Sequence, residues 1–543
     1  MRPSSSQVPF EARSQKASGD KGLAHELHVT ESDIDDWTSG YVADIGYTYG
    51  YYNELNPLNT RLACLNGGVT PPKIVNACEL GFGQGVSVNV HAAASAVQWW
   101  GTDFNPAQAG FAQELAAGSG NRASLFDASF EEFCARPDLP EMDYVGLHGI
   151  WSWVSDENRK VIVDFLRRKL KVGGVLYVGY NSLPGWAAMV PIRDLFVEHA
   201  DVMGAPGEGR VARIDAALTF TEKLLAVNPA FARANPGVAD RVKRARETDR
   251  SYLAHEYFNR DWEPMPFSRM SQWLNPAKLS YAGSGYFLEA MDALNLTPEQ
   301  QAFLAGIPDA GFRQNVRDLC LNRAFRKDYW VKGARSLTPA ERLEGLRRLH
   351  FVLAVPAADV TYKAAGLQGE LGLNEATYRP LVELLAEHRP KSLGELESAL
   401  APRRISLSQL VQAMMVLVGK GSVYAAQEPS ITDQFKATTT RLNRELLRAC
   451  ALGKDIAVLA SPVTGGGIPV SNLHQLFLAS AGSGKTEPDD WARDAWAILE
   501  AKGHHVVKDG KALQTPEENL AELLVSAREL QAKRLPMLKA LGI

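Results

Sequence analysis

The chain has 543 residues, more than a single core usually holds, with 45% hydrophobic and 22% charged residues, so it reads as a globular protein of several domains. Its 58 basic and 62 acidic residues leave a formal charge of −4, which argues against bulk affinity for nucleic acid or anionic membrane. Five scattered cysteines with no CxxC pair argue against a zinc site or a disulfide framework, and no apolar run is long enough to span a membrane.

In chain order, the stretch from Met1 to about Ser18, within an N-terminal segment 1–35, is rich in Ser, Pro and charge and lacks the apolar stretch of a secretion signal. That segment reads as a disordered leader, and the protein as cytoplasmic. Residues 36–200 alternate strand and helix patterns. Strands are expected over 74–80, 97–103, 123–126, 144–147 and 175–178, with helices over 87–96, 106–117, 157–170 and 187–199. That alternation predicts an α/β, Rossmann-like parallel sheet covered on both faces. Residues 201–335 read as a mainly helical domain with one strand-like piece, 278–282. Thr297-Pro298-Glu299-Gln300 and Thr338-Pro339-Ala340-Glu341 are capping boxes that open helices.

Residues 336–430 read as a winged-helix-like domain. Leu407, Leu410, Val411, Met414 and Val418 form a helical stripe, followed by a glycine break and a short strand over 422–426. Ten basic against nine acidic residues over 337–426 disfavour DNA binding and favour a docking or structural role. Residues 431–543 read as a helical C-terminal region. Within it, 479–486 fits a relaxed P-loop pattern ending in Lys485-Thr486, but no α/β alternation surrounds it. Thr486-Glu487-Pro488-Asp489 reads instead as a helix cap.

The strongest motif is Glu79-Leu80-Gly81-Phe82-Gly83-Gln84-Gly85, between a strand and a helix. Glycines there let a strand turn sharply into a helix while its backbone touches a ligand. Asp103, eighteen residues past Gly85, ends the second strand beside Phe104 and suits ribose hydroxyls. Asp127, beside Ala128, ends the third strand and suits an adenine amino group. Each acid has an alternative reading as the N-cap of the helix that follows. NAD fits the same layout. Acidic Glu79 before the first glycine and the failure of G-x-G-x-x-G at residue 86 favour S-adenosylmethionine (AdoMet), whose cationic groups Glu79 attracts.

Further residues carry a resemblance. The run Tyr144–Ser155 lies at the fourth strand tip and Leu170–Trp186 at the fifth. Tyr47-Thr48-Tyr49-Gly50-Tyr51-Tyr52 with Asn56-Pro57 precedes the first strand, and Tyr252-Leu253-Ala254-His255-Glu256-Tyr257-Phe258 follows the sheet. Together they resemble the bacterial class I AdoMet-dependent methyltransferases with a methyltransferase regulatory domain, whose best-understood members methylate lysines of surface proteins. The resemblance implies AdoMet contact at Glu79, Gly81, Gly83, Gly85, Asp103 and Asp127, a middle domain able to form a homodimer, and a protein substrate. Phe82 departs from the Gly-Cys-Gly usual in that family.

The expected acceptor side comprises His148, Trp151, Tyr180, Asn181 and Tyr47, with His148 also beside the cofactor. Tyr47, Tyr49 and Tyr51 alternate, as do Trp151 and Trp153, which puts each set on one side of an extended segment. Such aromatics wall a channel that positions and desolvates an amine; the alternative is core packing. His148 reads alternatively as a hydrogen-bonded strand-end residue. Protein-lysine methylation is the leading function. Methylation of a small molecule or surface-glycan precursor, and AdoMet binding without turnover, are the alternatives. No metal is implied.

Overall fold

Asn56 precedes Pro57 and accepts a hydrogen bond from the Leu58 N–H, so the first helix, α1 (Pro57–Asn66), begins with a side-chain cap and a proline in its first turn. It belongs to a computed structural model that describes Thr38 and residues 41–42, 45–205 and 207–543. The expected leader, 1–35, lies outside the described residues. There follow β1 (Asn76–Leu80), α2 (Val86–Ala94), β2 (Gln98–Asp103), α3 (Pro106–Ser119), β3 (Ser124–Asp127), α4 (Phe130–Ala135), β4 (Met142–Leu147), α5 (Asp156–Lys169) and β5 (Leu170–Asn181). β1 and β4 are buried almost throughout because helices cover both faces of the sheet. Helix α5 buries Ile162, Val163, Phe165 and Leu166, and its acidic first turn and basic last turn suit the helix dipole.

Helices α6 (Val190–Val202), α7 (Arg210–Ala226), α8 (Ala230–Ala234), α9 (Val238–Glu247) and α10 (Arg250–Tyr257) come next. The chain then returns to the sheet as β6 (Leu279–Ser284) and β7 (Phe325–Lys332). The strand order is β3-β2-β1-β4-β5-β7-β6; β1 to β5 are parallel, and β7 runs antiparallel to both β5 and β6. The fold is therefore α/β and Rossmann-like. The segment expected to be a helical domain over 201–335 is mostly helical, yet it supplies two of the seven strands.

Further on, His350–Leu353 pairs with Lys391–Ser392 and Val423–Ala426 in a small antiparallel sheet. Helices Glu375–Leu385, Leu393–Leu400 and Leu407–Gly419 accompany it, with a separate hairpin of Lys363–Gly366 and Gly369–Gly372. Leu407, Leu410, Met414 and Val418 are buried as their spacing predicts. The helix Pro429–Ala451 lies against α2 and α3, and its Leu442 and Leu446 share one core with Val86, Val90 and Leu115. A hairpin of Val458–Ser461 and Gly466–Pro469 interrupts the region expected to be helical. Lys485 stands in the turn between helices Asn472–Gly482 and Pro488–Ala501, its ammonium 2.6 Å from Asp494. A helix rather than a strand precedes it, so this is not P-loop geometry. The later helix does start at Pro488, but its N-cap is Glu487, and the Thr486 hydroxyl donates to the Glu487 carboxylate. No helix among the described residues is long and apolar enough to cross a membrane.

Candidate cofactor and acceptor site

The strand order reverses between β1 and β4, and such a switch point leaves a ligand-binding crevice beyond the strands' carboxyl ends. The glycine loop ends β1 at that crevice. Gly81 and Gly85 have φ of 69° and 68°. A Cβ on Gly81 would stand 2.6 Å from Ile150 Cδ1, and one on Gly85 would stand 2.3 Å from Ala112 Cβ. Only glycine meets both demands. The N–H groups of Gly81 and Phe82 donate to the Thr102 carbonyl at 2.8 and 3.3 Å and fasten the loop to β2. Phe82 is buried, and a Cβ on Gly101 would meet its ring at 2.9 Å. The bulky loop residue thus packs into the core over a glycine of β2.

Two acids stand beside this loop. Glu79 is 2% exposed, and its Oε2 has no hydrogen-bond partner. Burial, with a further contribution from Asp103, pushes the Glu79 carboxyl up to about 8. Asp103 accepts from the Gly83 N–H at 2.8 Å and the Asn105 N–H at 3.0 Å. Burial pushes it up to about 7 against the pull of those two bonds. The helix cap is not Asp103 but Asn105, which accepts from Ala107 and Gln108 at the start of α3. Likewise α4 is capped by Ser129 in a capping box with Glu132, and Asp127 stands exposed at the tip of β3. Both acids are therefore relieved of the capping role. Asp127 is the register partner of Asp103, and the Ala128 carbonyl accepts from the Thr102 hydroxyl.

Aromatic residues wall the same end of the sheet. His148, just past β4, has its Nδ1 2.8 Å from the Tyr177 hydroxyl and its ring stacked on Tyr52 at 3.5 Å. Burial, aided by Lys327, holds its pKa well below the ordinary value, so the ring is neutral. The Tyr47 ring edge faces His255 at 4.8 Å and lies beside Gly83; the Gln84 amide donates to its carbonyl. Tyr52 also donates its backbone N–H to Ser87 Oγ at 2.9 Å. Tyr41 meets Phe104 edge-on and also approaches His255, both at 5.5 Å. His255 Nε2 lies 3.0 Å from the Ile45 carbonyl.

The expected one-sided tyrosine alternation needs correction. Residues 46–52 form no strand. Tyr49 turns to Phe111 and its hydroxyl takes a hydrogen bond from Lys454 at 2.9 Å, while the Tyr51 hydroxyl accepts from the Gly467 N–H at 2.7 Å. Tyr52 joins Tyr47 in their stead. Trp151 and Trp153 lie on a 3-10 turn, so their alternation does not define a face. Trp151 is in the core; its indole donates to the Met265 sulfur at 3.4 Å and meets Trp273 edge-on. Tyr180 is fully buried and donates to Asp328 at 3.0 Å. Asn181 donates its backbone N–H to Ser152 Oγ, and its buried Nδ2 has no partner. Glu79, the three glycines, Asp103, Phe104, Asp127, Ala128, His148 and Tyr47 thus gather at the strand tips. Trp151 and Tyr180 are engaged in packing.

Residues 249–332, from α10 to β7, match the family described as "Predicted methyltransferase regulatory domain". The uncharacterized protein sll1526 of Synechocystis sp. is 38% identical over 512 residues, covering 93% of this chain and 99% of its own. The uncharacterized protein RP789 of Rickettsia prowazekii is 24% identical over 306 residues, 53% of each chain. Among solved structures, PKMT2 from Rickettsia typhi in complex with AdoHcy (S-adenosylhomocysteine) superposes with a TM-score of 0.66 at 17% identity, covering 92% of this chain and all of that one. The near full-length Synechocystis relative places this chain in one family with it; residues 249–332 carry that family's methyltransferase regulatory domain match, and the strand order and glycine loop share the fold of Rickettsia PKMT2.

Proposed function

We propose that the protein is an AdoMet-dependent methyltransferase acting on lysine side chains of a protein substrate. The observation that carries the reading is Glu79, a deeply buried carboxylate with an unpartnered oxygen beside the glycine loop and Asp103. A buried acid without a cation marks a place where the ligand brings one. AdoMet is cationic at its sulfonium and ammonium, so the site's chemistry fits it, and AdoHcy in the similarly folded Rickettsia PKMT2 supports the choice. When bound, AdoMet supplies an electrophilic methyl group.

The chain's residues do the rest. Gly81, Gly83 and Gly85 admit close backbone approach, and Glu79 balances the positive charge. Asp103 has acceptor capacity left for ribose hydroxyls. Asp127, next to Ala128 and opposite Asp103, would accept from the adenine amino group. Tyr47, Tyr52 and the neutral His148 exclude water and present aromatic faces to a cationic acceptor. Asn181, whose buried amide Nδ2 has no partner, is a further polar group that would orient that acceptor. A lysine ammonium, with an ordinary pKa of about 10.4, must lose a proton before it attacks, and dry aromatic surroundings favour that loss. The reading includes a cytoplasmic location.

The test is calorimetric titration of AdoHcy, followed by incubation with methyl-labelled AdoMet and cell lysate. Label recovered as methyllysine after protein hydrolysis is the expected result. Label confined to small molecules points to the small-molecule alternative, and AdoHcy binding without transfer points to the regulatory one.

A further inference from the structure

We propose that Glu256, on α10 of the regulatory segment, is the carboxylate that receives the acceptor's ammonium group and takes its proton. The proposal rests on the methyltransferase reading above. Asp249 caps α10, accepting from the Ser251 and Tyr252 N–H groups. Leu253 and Ala254 pack into a core with Ile192, Phe196, Ile214 and Leu218 of α6 and α7. His255 is tied to the Ile45 carbonyl and lies against Tyr47 and Tyr41. The helix is thus anchored through Leu253, Ala254 and His255, and Glu256 follows directly on the histidine that touches the aromatic wall.

The surroundings of Glu256 are those of a receptor for a cation. Its charge reaches Tyr41, Tyr47, Tyr52, Tyr252 and Tyr257 and raises the pKa of each beyond the larger effect of burial. Arg241 and Arg244 act on the outer Tyr257, not on the inner tyrosines. Among the described residues Glu256 has neither a hydrogen bond nor an ion pair. Other half-buried acids are matched: Glu54 lies 2.5 Å from Lys327, and Glu263 contacts Arg159. Tyr47 contacts the glycine loop at Gly83 and feels Glu256, so cofactor loop and acid flank one tyrosine.

Burial alone pushes Glu256 up to about 7, a value at which a carboxyl both ionises and accepts protons near neutrality. The facing tyrosines stay neutral there. In the proposed step the ammonium N–H bond breaks, its proton passes to a Glu256 oxygen, and the nitrogen keeps the electron pair that would form its bond to the methyl group as the donor's sulfur–methyl bond breaks, with AdoHcy as the leaving group. The proton later leaves to water.

The test uses the full-length protein loaded with AdoHcy and, as probe, Nα-acetyl-Nε-methyl-lysine amide, titrated calorimetrically at pH 6 and pH 8.5. Ionisation of the carboxyl across that range strengthens wild-type binding about tenfold. Glu256→Gln is expected to weaken probe binding about tenfold at pH 8.5 and abolish its pH dependence, whereas Glu256→Asp keeps most of both. AdoHcy affinity stays within about twofold in all three. Probe binding that is absent in the wild type, or indifferent to Glu256→Gln, overturns the assignment and leaves the methyltransferase reading standing. Parallel loss of AdoHcy in Glu256→Gln marks a structural role and also overturns it. A wild-type protein that does not bind AdoHcy overturns both.

Discussion

At the tips of β1 and β2, Glu79 and Asp103 are buried with no cation beside them. Beside β7, Asp318 and Asp328 are as deeply buried, yet both surround Arg326, 2.7 Å from each. Arg323 reaches Asp318 at 3.0 Å, and Tyr180 donates to Asp328. In the second group the protein supplies every counter-charge, and the network holds β7 in the sheet. In the first it supplies only backbone N–H groups, and burial lifts the Glu79 and Asp103 carboxyls to about 8 and 7, whereas at Asp318 two arginines pull against the burial that raises it. Burial of an acid is therefore not itself a sign of function; burial without a matching cation is.

The contrast breaks first, and most visibly, at Arg326. Arg326→Met removes the shared cation, leaving Asp328 without a counter-charge and Asp318 with Arg323 alone, at an expected loss of about 3–5 kcal/mol, read as a lower urea midpoint. A loss no larger than that of a surface pair would erase the distinction. Next in size, Asp103→Ala is expected to weaken AdoHcy by about 1.5–3 kcal/mol in calorimetry. Its companion, Glu79→Gln, weakens AdoMet while holding or raising the urea midpoint of the ligand-free protein above pH 8, where it removes an unmatched buried charge. Unchanged affinity in both would deny the site its acids.

A pH series sharpens the same point. The folded-state values of Glu79 and Asp103 lie at about 8 and 7, above those of the unfolded chain. Their contribution to stability is complete below the unfolded values and is lost as pH rises through the folded ones. From pH 6.5 to 8 the urea midpoint of the ligand-free protein falls, with a shallower slope in Glu79→Gln. The smallest effect is at Lys485, exposed and paired with Asp494. Lys485→Ala is expected to change stability by about 0.5 kcal/mol or less and leave AdoHcy affinity unaltered. Specific ATP binding lost in that variant would overturn this view of the loop.

The acids of the first group were legible in the sequence because local rules place them. A strand must turn into a helix at Gly81–Gly85, and one helix later the next tip falls at Asp103. Asn105 and Ser129 then take the capping duty that left each acid's role open. Tyr52 and Glu256 obey no such rule. Tyr52 precedes the sheet, Glu256 belongs to a helix far downstream, and only tertiary packing brings them together. The one available signal was the Tyr252-x-x-His255-Glu256 cluster, polar groups one turn apart on an otherwise core-facing helix. Strand β7 escaped notice because Arg326 and Asp328 sit inside it, and periodicity counts charges as exposed. Trp151 misled because alternation implies a face only in extended chain.

The helix Pro429–Ala451 and the hairpin after it bear on how this molecule can be divided. Asn56 donates to the Thr464 carbonyl, Tyr51 accepts from Gly467, and Arg441 donates to the Ser119 carbonyl. Gly85, the last glycine of the loop, is also the N-cap of α2, the helix whose Val86 and Val90 this tail covers. A fragment stopping short of Pro429 would keep every residue of the site and yet leave bare the helix that carries the loop. The packed unit is accordingly longer than the Rossmann-like sheet and its helices, and the tail is the cover of the α2 end of the loop.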